Sequence, residues 1–209
     1  MEIYFLIGLL IFFLIGSIPF GAIISRAIAG IDITQKGSGN IGATNVAREL
    51  GLKWGILTLL LDLLKGFLPT GICCILFNYS LETVIFWVSF PTLLGHQFSP
   101  FQRFRGGKGV ATSLGIFIAI SPVAAVISFI VFIAVVYFSR FVSLGSMIAA
   151  LSMPFIMAVT GKSIILISAA VIIALMICLK HSGNIKRLLR GEERRWRDES
   201  SGEKIEKAV

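Results

Sequence analysis

GVATSLGIFIAISPVAAVISFIVFIAVVYFS, residues 109–139, carries no charged side chain, and whether it crosses a bilayer once or twice decides the fold. At about 1.5 Å of rise per residue a single helix of this length would run about 46 Å, against a hydrocarbon core of roughly 30 Å. That is too long for one crossing without strong tilt. Ser121-Pro122 offers a break near the middle, because proline lacks an amide hydrogen and pushes the residue before it out of helix.

A bilayer is the right frame because the 209 residues are 56% hydrophobic and 14% charged, with mean hydropathy +0.91. Such a chain is too apolar for a soluble domain and too short for several, so residues 1–209 read as a single integral membrane domain of all-α class. Ile3 to Ile24 is uncharged and long enough to span. Glu2 precedes it and no cation comes before Arg26, so it lacks the basic start of a cleavable leader and is expected to stay as an anchor with its N-terminus outside. Trp54 to Tyr79, Thr83 to Phe98, Phe141 to Thr160 and Ser163 to Leu179 give further spans. Cys73, Cys74 and Cys178 sit inside apolar runs without metal-ligand spacing and read as packing residues.

Charge asymmetry separates one crossing from two. If residues 109–139 form a hairpin, seventeen of the nineteen cations fall on the inner side, with Lys162 outside and Lys65 within the membrane; a single span leaves eight inside and ten outside. The positive-inside rule selects the hairpin. The expected fold is a polytopic helical bundle of about seven transmembrane helices, the fourth short, with the C-terminus and a basic tail, 186–209, in the cytoplasm. Arg187, Arg190, Arg194, Arg195 and Arg197 alternate with Glu192, Glu193, Asp198 and Glu199, which fits a membrane interface and excludes a nucleic-acid partner despite the net charge of +8.

This topology gathers three polar clusters on one side. Gly37-Ser38-Gly39-Asn40-Ile41-Gly42-Ala43-Thr44-Asn45 combines loop glycines with small hydrogen-bonding groups, and a helix starting near Ala43 would place Arg48 one turn beyond Thr44, able to fork around a phosphate. Phe104-Arg105-Gly106-Gly107-Lys108-Gly109 reads as a phosphate cradle, because glycines let amide groups converge on an oxyanion and a helix beginning at Gly109 aims its positive end there. It is not a nucleotide P-loop: Lys108 is followed by Gly109 rather than Ser or Thr, and no strand precedes it. His181, Asn184 and Arg187 recur every third residue and would share a helical stripe. Asp62 and Lys65, three apart in an apolar span, are expected to pair as structural support. Ser143 and Ser146 would line the inner mouth of the sixth helix, although such serines commonly bond their own backbone.

Together these runs resemble the three motifs of the bacterial acyl-phosphate:glycerol-3-phosphate acyltransferase family, in order and over nearly the whole chain. Gly95-His96 and Val110-Ala111-Thr112 around the cradle, and Gly191-Glu192-Glu193 after the third cluster, extend the likeness. The resemblance implies transfer of a fatty acyl group from a long-chain acyl phosphate to the 1-hydroxyl of glycerol 3-phosphate, giving lysophosphatidic acid and phosphate at the cytoplasmic face of the bacterial inner membrane, among membrane lipids. It implies activity-bearing roles for Ser38, Arg48, Lys108, His181 and Asn184, a glycerol-phosphate loop at Gly106, Gly107, Lys108 and Gly109, and structural support from Glu193. Asn40, Thr44, Asn45, Arg105 and Ser146 join the expected substrate-binding set. Arg105 stands where the family commonly has lysine, and Ser182-Gly183 replace what is often a more basic pair, which bears on the tuning of anion affinity.

An acyl phosphate is already activated, so alignment and charge neutralisation suffice, with no metal or organic cofactor expected. Ser38 is read as a hydrogen-bonding group rather than an acylated nucleophile, since no histidine or carboxylate lies near it in sequence. The hydroxyl's proton goes either to His181 as general base or to the donor's own phosphate, with His181 holding a phosphate; a histidine ringed by cations resists a further positive charge, which favours the second role. His96, just before the cradle, is the other histidine candidate and is read as bracing the loop. Three alternatives stand beside this reading, one of which, a non-catalytic lipid-binding membrane protein, explains the hydrophobicity but not three glycine-bearing polar loops on one side. An acyl-CoA-dependent enzyme would show a histidine followed by an aspartate five residues on, where this chain has Phe101 and Lys186. A transporter of phosphorylated metabolites would spread polar groups along a path through the bilayer.

Overall fold

The computed structural model describes residues 2–196, and every regular element among them is helical. In chain order these are α1 (Glu2–Ser17), α2 (Phe20–Ala29), a 3-10 turn (Ile33–Gln35), α3 (Ala43–Leu50), α4 (Leu52–Ile75), α5 (Leu81–Val84), a π-helical turn (Ile85–Ser89), α6 (Phe90–Gln97), a second 3-10 turn (Pro100–Gln102), α7 (Val110–Ile120), α8 (Pro122–Ser139), α9 (Val142–Val159), α10 (Ile164–Lys180) and α11 (Ser182–Leu189).

The decisive stretch breaks at Ser121, whose φ of −149° and ψ of 78° leave the helical region as Pro122 opens α8. The eleven residues of α7 reach only about 16 Å, too short to cross alone. The first span needs a correction. Ile3 to Ile24 is not one helix: Pro19, at φ −92° and ψ 73°, separates α1 from α2 because its ring removes a helical donor. Lys65 donates to the Ile18 carbonyl at this break, 2.8 Å away, and pairs with Asp62 at 2.7 Å. The two expected buried charges therefore do meet, and one of them ties α4 to the bend.

By length and composition four segments can cross a membrane, namely Leu6–Ala29, Leu52–Ile75, Pro122–Ser139 and Val142–Val159, and α10 with α11 is a fifth if their 61° bend is counted as one broken span. Outward faces carry Leu10, Ile75, Ile130, Phe155 and Leu175, all exposed, as lipid contact requires. The helix pairs α4–α7, α8–α9, α1–α6 and α9–α10 pack along one another, with α3 lying along α4. The α4–α7 pair is close because Gly66 faces the Thr112 carbonyl and Gly115 faces the Leu63 carbonyl, where any Cβ would collide. A buried cluster from the π-helical turn, α6, α7, α8, α9 and α10, including Leu93, Ile116, Phe117, Ala124, Met157 and Ile173, forms the core. The part of the expected tail beyond Trp196 lies outside the described residues; residues 186–189 belong to α11.

Candidate active site

The first polar cluster is a loop built around one buried side chain. Asn45 accepts a hydrogen bond from the Ser38 amide (2.9 Å) and donates to the carbonyls of Asn40 (2.9 Å), Lys36 (3.1 Å) and Ile33 (3.4 Å). Asn40 accepts from the Gly42 amide at 2.8 Å. Asn45 thus spends its hydrogen-bonding capacity on the loop, and the loop presents Ser38 outward. Ala43 opens α3 as the sequence predicts, and Arg48, near its end, donates to the carbonyls of Arg194 (3.2 Å) and Arg195 (3.4 Å).

In the second cluster Gly109, at φ +87°, caps α7, a conformation costly for any residue with a Cβ. Its neighbours Val110 and Ala111 line the polar cavity described below, where first-turn amides without helical partners favour an anion. Gly106 and Gly107 play a different part. The Gly107 amide donates to the His96 carbonyl at 3.0 Å, and a Cβ on either glycine would collide with His96. They let the loop lie flat against the end of α6. Arg105 is exposed, and neither it nor these two glycines is among the cavity-lining residues.

The third cluster ties the site together. Lys108 Nζ donates to Asn184 Oδ1 at 2.6 Å, Asn184 Nδ2 donates to Glu193 Oε1 at 2.6 Å, and Ser143 Oγ and Arg187 Nε each donate to Glu193 at 2.7 Å. One carboxylate thereby fixes α9, α11 and, through Asn184, the lysine before α7. Burial pushes the Glu193 carboxyl up, but the hydrogen bonds from Ser143, Asn184 and Arg187 and the Arg187 charge bring it below the usual range. Burial, helped by Arg187 and Arg48 and opposed by Glu193, lowers Lys108 to about 8. His181 sits in the bend between α10 and α11, outside both helices, where burial and the Lys108 charge lower it to about 4. Its Nδ1 lies 2.8 Å from the Ile177 carbonyl. A carbonyl only accepts, so Nδ1 carries the hydrogen and the neutral ring keeps a lone pair on Nε2.

Ser38, Asn40, Thr44, Asn45, Arg48, Lys108, Gly109, Ser146, His181 and Asn184 line one cavity of about 310 Å³. Asp62, His96, Arg187 and Glu193 line it as well. Arg187 was signalled by its place in the every-third-residue stripe, and His96, the second histidine candidate, does brace the loop through its carbonyl; Asp62 lies in an apolar helix whose pattern does not say which way it faces. Ser146 donates to the Val142 carbonyl at 2.9 Å, the backbone bond common for such serines. Through Thr44, Leu59, Val110, Ala111 and Ser146 the polar cavity meets a second of about 620 Å³, lined by apolar side chains including Phe117, Phe129, Phe132, Ala150, Met153 and Ile173.

Residues 6–191 match the family model described as glycerol-3-phosphate acyltransferase. The chain is 47% identical over 190 residues to the glycerol-3-phosphate acyltransferase of Desulfotalea psychrophila, covering 90% of this chain and 96% of that protein. It is 41% identical over 184 residues to that of Aquifex aeolicus, covering 88% and 95%. Crystal structures of PlsY, an integral membrane glycerol 3-phosphate acyltransferase, are similar at 40% identity over 92% of this chain and 95% of theirs, with TM-scores of 0.86 for the glycerol 3-phosphate form and 0.84 for the lysophosphatidic acid form. A match that runs through all three polar clusters and the helices between them leaves one assignment: the chain belongs to the glycerol-3-phosphate acyltransferase family.

Proposed function

We propose that this enzyme transfers the acyl group of a long-chain acyl phosphate to the 1-hydroxyl of glycerol 3-phosphate, forming lysophosphatidate and inorganic phosphate. The observation that carries the reading is the single polar cavity shared by Ser38, Lys108 and His181, opening into an apolar cavity of about 620 Å³. Two anionic head groups need cations, supplied here by Lys108, Arg48 and Arg187, and an acyl chain needs a dry groove beside them. A transporter of phosphorylated metabolites would continue the polar lining inward, whereas the adjoining cavity is apolar.

In the reaction the hydroxyl oxygen bonds to the acyl carbonyl carbon, the bond from that carbon to the phosphate oxygen breaks, and the departing phosphate carries off the hydroxyl proton. Lys108, held by Asn184, and the amides opening α7 neutralise the phosphates and the developing oxyanion. Ser38 donates to a phosphate oxygen. His181 changes role from the sequence expectation: with its hydrogen on Nδ1, Nε2 can accept from the attacking hydroxyl but cannot donate to a phosphate, so the ring orients the nucleophile.

The membrane frame belongs to the same proposal. Counting α1–α2, α4, α5–α6, α7, α8, α9 and α10 gives seven segments, with α11 and the N-terminus on opposite sides, the N-terminus outside and the polar cavity at the cytoplasmic face of the bacterial inner membrane. The distribution of seventeen of nineteen cations supports this orientation. Purified protein in lipid, given glycerol 3-phosphate with either acyl phosphate or acyl-CoA, should yield lysophosphatidate from acyl phosphate alone. Product from acyl-CoA alone would overturn the donor, and flux without product would restore transport.

A further inference from the structure

Two carboxylates line the polar cavity among the described residues, Glu193 and Asp62. In a cavity that takes phosphates each needs a reason, since a bare carboxylate repels the ligand. Glu193 has one: Ser143, Asn184 and Arg187 all donate to it, and it acts as an internal strut. Asp62 is different. It is 3% exposed, its Oδ1 pairs with Lys65 at 2.7 Å, and no other donor reaches it within hydrogen-bond distance. His96, 4% exposed, brings Nδ1 to 3.8 Å from the same oxygen, and that nitrogen has no hydrogen-bond partner.

Lys65 cancels the charge of Asp62 without using up its acceptor capacity, since a carboxylate has about four lone-pair sites. What remains on this wall is an electrically compensated acceptor beside an uncommitted imidazole nitrogen. That chemistry suits a neutral hydroxyl and does not suit a phosphate. Glycerol 3-phosphate has two hydroxyls. The reacting one needs a partner that can release it, and the neutral Nε2 of His181 supplies that. The other has no assigned partner.

We propose that Asp62, with His96 beside it, holds the 2-hydroxyl of the acceptor and makes the enzyme selective for a vicinal-diol monophosphate over an acceptor with only the terminal hydroxyl. The inference rests on the acyltransferase reading above. His96 then serves twice, because its carbonyl receives the Gly107 amide, and the group that meets the diol is continuous with the loop that carries Lys108. A bound acceptor touches both, and the diol fixes the register in which its phosphate reaches the lysine.

The test compares glycerol 3-phosphate with 3-hydroxypropyl phosphate, which lacks only the 2-hydroxyl, in lipid with a saturating acyl phosphate. The unaltered enzyme should favour glycerol 3-phosphate in kcat/KM by about a hundredfold, because the shorter acceptor leaves a buried polar group unpaired. Replacing the pair together, Asp62→Leu with Lys65→Met, avoids stranding a buried charge. It should reduce that ratio to within about threefold of unity, chiefly by loss of activity on glycerol 3-phosphate. If that variant is not recovered folded, Asp62→Asn with Lys65→Gln, which strands no charge and keeps a polar pair in place, reads the same ratio and should lower it about tenfold, an amide being the weaker acceptor.

Equal use of both acceptors by the unaltered enzyme would overturn the proposal. So would a variant that loses activity on both acceptors by the same factor and keeps the ratio, since Asp62 would then act on the reacting hydroxyl or on the fold alone. Failure of the unaltered enzyme to acylate either acceptor is a separate result, which would refute the acyltransferase reading itself.

Discussion

The polar and apolar cavities that meet at Thr44 and Ser146 are made in opposite ways. The polar one is assembled from loops and helix ends, and each working group in it is gripped by another. Asn45 holds the Ser38 loop, Asn184 holds Lys108, Glu193 holds Asn184, and Ile177 fixes the hydrogen on His181. The apolar one is lined chiefly by apolar side chains of α4, α7, α8, α9 and α10, and its serines, Ser113, Ser128 and Ser146, donate to helix carbonyls and not to one another's working groups. Precision resides in the first: a directional network fixes charge and proton placement there, while on the proposed function the acyl chain would be bounded only by shape. Substitutions in the first should therefore act steeply, and in the second by degrees.

The steepest effect is expected at Lys108. Lys108→Ala removes the ammonium proposed to face both head groups and should lower kcat/KM for lysophosphatidate formation by at least about a thousandfold in a lipid-reconstituted assay. Near-normal kinetics would detach the α7 entrance from the chemistry. Glu193→Gln should cost about a hundredfold, because three donors converge on that carboxylate; the protein should still be recovered folded, with the loss appearing in turnover and in KM for glycerol 3-phosphate together. A loss confined to thermal stability would make Glu193 a strut only.

Across the boundary the response should be milder and of another kind. Ala150→Phe fills part of the apolar cavity and should shift the preference between sixteen- and twelve-carbon acyl phosphates about tenfold toward the shorter, as contacts of a few methylenes allow, with KM for glycerol 3-phosphate unchanged. A parallel change in that KM would erase the division between the cavities. The smallest effect is on pH. Lys108, lowered by burial to about 8, loses its charge as pH rises through that value, so kcat/KM should decline above about pH 8, and Lys108→Arg should carry the decline to higher pH whatever activity it keeps. His181, lowered by burial to about 4, is neutral from pH 5 upward and should contribute no limb between pH 5 and 7; an acidic limb abolished by His181→Gln would return it to the role of general base.

The same contrast governs what could be read from the sequence. Polar, glycine-bearing runs stand out from an apolar chain, so Ser38, Lys108, His181 and Asn184 were legible as neighbours, and they do line one cavity; the Ser121-Pro122 break followed from proline chemistry. The bend at Pro19 obeys the same rule but was hidden by an uninterrupted apolar pattern. Gly106 and Gly107 looked like an amide cradle because composition does not record where an amide points, and the Gly107 amide points at His96. Asp62 was legible as a buried, paired charge; that it also faces the cavity depends on helix rotation, which a span apolar on all sides does not encode. The tautomer of His181 depends on one carbonyl a turn earlier and needed coordinates.

The central claim, that head groups and chain occupy separate but adjoining cavities, is tested most directly by an acyl phosphate carrying a photoreactive diazirine at the end of its chain. Irradiated on the enzyme in lipid and mapped by peptide mass spectrometry, it should label α7 and α9 around Phe117 and Met153, and excess unlabelled acyl phosphate should suppress that labelling. Label confined to outward faces such as Ile75 and Phe155, or to the polar lining around His181, would contradict the account.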